Sequence, residues 1–154
     1  MAVLTPGGGR LACDASLRAR LIEALTRSGR GPAFACLLAS GEAIVATSDA
    51  KRTLFTRTGA SAVDMESHAV AEAATAAAVP FVVVRAIADT ADGSIPDLAT
   101  RALRSDGTTD VGAVLRGLLA DPRQLPALLK LGSQTRRALK TLAHAGRTLD
   151  LVEL

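Results

Sequence analysis

The feature that most constrains this chain is the run Phe81-Val82-Val83-Val84, which continues through Arg85 into Ala86-Ile87-Ala88 with a single charge in it. Aromatic and β-branched residues in unbroken succession, bounded by Pro80 and Asp89, read as a strand buried on both faces. Such a strand requires a sheet covered by helices. The run ends a longer stretch, Gly59–Gly93, that reads as strand, helix, strand and polar loop. Ala60–Val63 is its first strand, broken at Asp64. Helical spacing then sets Met65, Ala69, Ala73 and Ala76 on one face with Glu66 and Glu72 off it, and Pro80 stops the helix. In open α/β sheets ligands sit beyond the carboxyl ends of the strands. Asp64, Met65 and Glu66 follow one such end and Asp89 the next, so both ends are expected to converge on one pocket.

The rest of the chain narrows the class. Its 154 residues suit one domain, residues 1–154, and an apolar share of 49% suits a packed core. Cys13 and Cys36 are far apart and outside any CxxC pattern, which argues for a reducing compartment and against a zinc site or disulfide framework. No apolar run is long enough to span a bilayer and the first residues lack a signal-peptide pattern, so a cytoplasmic protein is expected. The net charge of +3 comes without Trp or Tyr, and Phe34, Phe55 and Phe81 stand alone. A stacking platform for single-stranded nucleic acid needs aromatic faces beside basic groups, so nucleic acid is set aside as a partner.

Local signals fill in the elements. Residues 6–10, PGGGR, invite a phosphate-loop reading, but no Lys-Ser/Thr follows, and a hairpin or connecting turn after the apolar Ala2–Leu4 is preferred. Asp14 or Ser16 can cap a helix bearing Leu17, Leu21, Ile22 and Leu25. Pro32–Leu38 and Glu42–Ala46 read as strands joined at Ser40-Gly41. Thr47-Ser48-Asp49 caps a helix through Phe55, with Lys51 in its first turn. A short helix is expected around Leu98–Leu103, and Thr108 or Thr109 caps Val111–Leu119. Asp121-Pro122 opens a last start signal. From Leu125 onward Leu128, Leu139 and Leu142 share one side, while Arg123, Lys130, Arg136, Arg137, Lys140 and Arg147 crowd the other. A helix packed on the sheet with its charges in water is favoured over docking to an anionic membrane surface.

The segments Val63-Asp64-Met65-Glu66-Ser67-His68 and Val79-Pro80-Phe81-Val82-Val83-Val84-Arg85-Ala86-Ile87-Ala88-Asp89 resemble the purine nucleoside phosphorylase and methylthioadenosine/adenosylhomocysteine nucleosidase superfamily. DMES at the helix head and the later Asp106-Gly107, Leu118–Pro122 and Leu125-Pro126 are most similar to its hopanoid-associated branch. The resemblance implies a three-layer α/β fold, a central, mixed, largely buried sheet flanked by helices, and cleavage of a purine N-glycosidic bond. In that branch the reaction releases adenine from adenosylhopane, a lipid-linked nucleoside. No cofactor is implied, with phosphate or water as acceptor, and homo-oligomers are common. Asp89 matches the acid that protonates the departing base. Glu66 matches the glutamate on the ribose hydroxyls, Met65 the methionine against the sugar, and Arg85 the arginine that helps hold the attacking water. Asp64 is taken with them as a substrate-side residue.

Two acidic groups suit that chemistry. The base must gain a proton as it leaves, and a carboxylate near the sugar offsets the positive charge developing there. Plainer roles stand beside these: Asp89 as a loop cap before the turn pair Asp92-Gly93, Glu66 as an answer to the helix dipole, Met65 as core filler. His68 is expected to be structural, lacking a placed partner. The chain departs from the family at Ala88, where many members have Ser, and at Lys51, where an aromatic residue often lies against the base. It also lacks the glycine turn and early acid with which the family begins, so its N-terminal part is expected to be missing. The alternative is therefore an inactive remnant that binds a nucleoside or a membrane surface.

Overall fold

The computed structural model describes residues 1–29, 32–102 and 108–150. Strand β1 (Ala2–Leu4) turns back into β2 (Arg10–Ala12), with Thr5 N–H donating to Gly9 O at 2.8 Å and Gly8 at a φ of 83° that favours glycine. The glycine run is thus a hairpin turn. Asp14 caps α1 (Ala15–Arg27) by accepting the Leu17 N–H at 2.8 Å, and Leu21 and Ala24 are buried along the helix. Strand β3 (Leu38–Ser40) leads to α2 (Ser48–Thr58), capped by Thr47 and closed at Gly59 with φ 71°. Strand β4 (Ala62–Asp64) then opens α3 (Ser67–Ala76). The strand order is β2-β1-β3-β4, with β1 antiparallel to β2 and parallel to β3, and β3 parallel to β4. This is a mixed sheet flanked by helices, the expected α/β class.

The register explains the core. Leu11, Val3, Leu38 and Ala62 are successive partners across all four strands. Side chains paired this way share one face. Ala71 of α3 lies on that row, fully buried with Val3 and Leu38, and Phe81 and Val83 pack around it. A fully buried Val or Leu contributes about 1.5–3 kcal/mol, so this row is the main apolar anchor of the sheet. Two residues further along, and so on the same face, β3 and β4 pair Ser40 with Asp64. That step from apolar to polar, at the carboxyl ends of two parallel strands, places the candidate site.

Several expectations change. Residues 79–88 form no strand and are half-buried to exposed, not buried on both faces. The physical reason lies in where the segment is tethered. Phe81 O accepts the Asp14 N–H at 2.9 Å just beyond β2, while Arg85 pairs with Asp64 at the end of β4 on the opposite edge. Among the described residues the bonds of 81–85 thus go to opposite edges of the sheet, and the segment joins no ladder. Apolar character demanded burial but did not say where the backbone would bond. Helix α3 buries Ser67 and Ala71, while Ala69, Ala73 and Ala76 are exposed. Its face was misread by counting Met65, which precedes the helix. Of the hairpin expected at 32–46 only β3 is a strand, since Gly41 N–H turns instead to Asp64 O at 2.9 Å.

The C-terminal part is helical. Helix α4 (Asp97–Arg101) begins where expected, though Leu103, like Asp106 and Gly107, lies outside the described residues. Asp110, not Thr108 or Thr109, caps α5 (Val111–Ala120), accepting the Ala113 N–H at 2.9 Å. A 3₁₀ turn at Pro122–Gln124 leads into α6 (Leu125–Asp150), which packs against α1. The covered stripe of α6 runs through Leu128, Leu131, Ala138 and Ala145, whereas Leu139 and Leu142 are exposed. Helix α5 also leaves Leu115 and Leu119 in solvent, Leu119 at 84%. Among the described residues no helix is long and apolar enough to cross a membrane.

Candidate functional site

Two groups of ionisable side chains lie near the expected strand end and loop. The first is built by β4 and the head of α3. Asp64 Oδ1 accepts the Ser67 N–H at 3.1 Å and so caps α3. The Ser67 hydroxyl donates to the other Asp64 oxygen. Arg85 reaches the same carboxylate from the segment 81–85, and also Glu66 Oε2 and Ser67 Oγ, each at 3.1 Å. Ser40, only 2% exposed, accepts the His68 backbone N–H at 2.9 Å and lies 3.0 Å from Nδ1 of its ring. His68 is thereby held by both backbone and ring, so Ser40 is a placed partner that the sequence did not reveal.

The Asp64 carboxyl titrates away from its ordinary value. Burial alone would push its carboxyl up. Hydrogen bonds from the Ser67 and Ser40 hydroxyls and the Ser67 N–H, with the Arg85 charge, outweigh that and hold it below the ordinary 3.8. Asp64 is therefore an anion that organises its surroundings, unsuited to supplying protons near neutrality. Glu66 differs: its side chain is 66% exposed and its only bonded partner among the described residues is Arg85. Met65 is half-buried between the two acids.

The second group joins α2 to the loop after that segment. Lys51 pairs with the Asp89 carboxylate and also donates to Thr90 O at 2.9 Å and Gly93 O at 2.8 Å. Its side chain is only 11% exposed, so it is not a solvated charge. Of the expected site residues, Asp64, Glu66 and Arg85 are thus brought into direct contact, with Met65 beside them, while Asp89 sits in the separate Lys51 group. Two cavities, of about 770 and 760 Å³, lie along α1. The second also runs beside residues 82–87 and α6, and Arg85 lines it; neither cavity is lined by Glu66 or Asp89.

Sequence reasoning missed Ser40 and Ser67, and with them the cap. The signal was present: Asp64-x-x-Ser67 is a cap spacing, and a polar Ser40 ends an apolar strand. The Lys51–Asp89 pairing spans 38 residues and left no local pattern to read.

A mixed α/β sheet whose parallel strands end in paired polar groups belongs to the class of folds in which ligands generally sit beyond the carboxyl ends of the strands. The model of one family, the phosphorylase superfamily, matches residues 4–121, and the chain belongs to that superfamily. Its kind of enzyme is the nucleoside phosphorylase or nucleosidase, which cleaves the glycosidic bond of nucleosides. No curated protein and no solved structure matches the chain.

Proposed function

We propose that the protein cleaves the N-glycosidic bond of a purine nucleoside, releasing adenine from adenosylhopane with water or phosphate as acceptor. The observation behind this reading is the polar end of β3 and β4. There Arg85 gathers a fixed anion, Asp64, and an exposed carboxylate, Glu66, at the head of α3. Glu66 grips the ribose hydroxyls and offsets the positive charge that grows on the sugar as the bond breaks. Met65 packs against the sugar, and Asp64 holds Arg85, which orients the acceptor. Asp89 gives a proton to a ring nitrogen of the base, so that the base departs neutral. Incubating the chain with adenosine-type substrates, with and without phosphate, and assaying free adenine tests this. Asp89→Asn should lower adenine release by about 10²–10⁴-fold, the usual worth of a placed general acid. Release that Asp89→Asn leaves untouched refutes the assignment.

A second reading is favoured by one observation: both acids are already engaged by cations and neither lines the two cavities described above. On that reading the chain binds a nucleoside, or a membrane surface through the basic side of α6, without turnover. Calorimetric nucleoside binding, or flotation with anionic liposomes, in the absence of any adenine release would mark it.

A further inference from the structure

Helix α5 packs one side on α4, where Gly117 approaches so closely that a side chain would collide with Leu98. Val111, Leu115 and Leu119, spaced four residues apart, form a stripe on the opposite side. Each is more than half exposed. The turn at Pro122–Gln124 then leads into α6, whose first turns add Leu125 and Leu129, the second of them also more than half exposed. Single apolar residues in water are ordinary, but five large ones on the two sides of one turn mark an interaction surface. The charge around them decides what covers it. Residues 111–150 hold seven Lys and Arg against two Asp and no Glu, so the positive balance of the chain sits in this part. Arg116, Arg123 and Lys130 flank the leucines along the chain; all three are exposed, and among the described residues none is in an ion pair. Asp121 is occupied within the turn, accepting the Arg123 N–H at 3.2 Å and the Gln124 side-chain amide at 3.1 Å.

A second copy of the chain presenting the same face would set these cations against one another. An anionic bilayer surface suits both features: apolar side chains enter the headgroup boundary, and Lys and Arg beside them meet the lipid phosphates. We propose that the corner between α5 and α6 docks on an anionic membrane surface. Leu115, Leu119, Leu125 and Leu129 enter the interface, and Arg116, Arg123 and Lys130 lie on the headgroups. The proposal goes beyond both readings above. It assigns contact to the apolar corner and not to the basic side of α6 alone, and it does not depend on whether the docked chain cleaves a nucleoside.

The test mixes the full chain with vesicles of phosphatidylcholine, alone or with phosphatidylglycerol added. The anionic vesicles should sediment the chain, the neutral ones should leave it in solution, and added salt should release it. The chain has no Trp, so Leu119→Trp is a local probe. Its emission should shift to the blue on anionic vesicles, while that of Phe34→Trp, at an exposed position before β3, should not. Leu119→Gln combined with Leu129→Gln should lower the partition coefficient about tenfold or more, because two apolar side chains no longer leave water. Arg123→Gln should lower it about fivefold, the worth of one cation near the surface. These positions are exposed, so thermal melts should match the wild type. Leu119→Trp decides if the double variant does not fold. No sedimentation with anionic vesicles, equal sedimentation with neutral ones, or an unshifted Leu119→Trp overturns the proposal. Undiminished binding of the double variant also overturns it and leaves charge contact along α6. A dimer in solution that the double variant dissociates would give the face to a second copy instead.

Discussion

The two ionic groups differ in how they are made. Asp64, Glu66 and Ser67 lie within four residues of one another, and the turn from β4 into α3 brings them together locally. Arg85 is added from outside, and Asp64 keeps its serine and backbone partners without it. The Asp89 group has no such redundancy. Among the described residues its carboxylate is held by one ammonium from another helix, and the loop around it by the same ammonium together with backbone bonds at Gly93 and Ile95. A locally built anion tolerates the loss of one partner, whereas a long-range clamp with a single cation does not.

That contrast can be broken or sharpened by substitution. The largest expected effect is on turnover: Glu66→Gln should lower adenine release by about 10²–10³-fold, the scale of losing one charge-stabilising contact at the transition state. Because Glu66 is mostly exposed, the same change should leave stability within about 0.5 kcal/mol by urea denaturation, as for other surface pairs. A loss of stability without a loss of rate would make Glu66 a structural residue.

Arg85→Met removes a charged partner from Asp64 and should cost about 1.5–3 kcal/mol in the same denaturation, towards the lower end because the serine bonds remain. If it also sped exchange in residues 89–95, the two groups would be one coupled unit and the comparison would fail. Ser40→Ala strips a buried hydroxyl that serves His68 N–H and Asp64, and about 1–2 kcal/mol is expected, with the N-terminal turn of α3 exchanging faster.

The smallest effect is a pH dependence. Asp64 has a lowered folded value, so the unfolded chain takes up its proton first as pH falls. Its contribution to stability is fully present above the ordinary 3.8 and is lost as pH drops from there through the lower folded value. Denaturation midpoints recorded from pH 6 down to pH 3 should therefore fall less steeply in Asp64→Asn than in the wild type. Equal slopes would mean that Asp64 is not held below its ordinary value.

How much could be read beforehand follows the same division. The hairpin at the glycine run, the caps at Asp14 and Thr47, β4, and helices α2 and α6 were legible because each is decided within a few residues. Asp64, Glu66 and Arg85 were picked out together, and they do meet. The face of α3 was misjudged because Met65 precedes the helix and alanines say little about which side is covered. The run at 81–88 was read as a strand because apolar content signals burial, while ladder pairing depends on where distant Asp14 and Asp64 lie.

By itself, then, the sequence determined the α/β class, the caps of α1 and α2 and the cluster of acids at the head of α3, since near neighbours in the chain have little freedom to choose other partners. Only the tertiary structure decided that residues 81–85 join no ladder and that Lys51 reaches Asp89. Those contacts depend on chain segments tens of residues apart being brought within a few ångströms, and no local pattern encodes that distance.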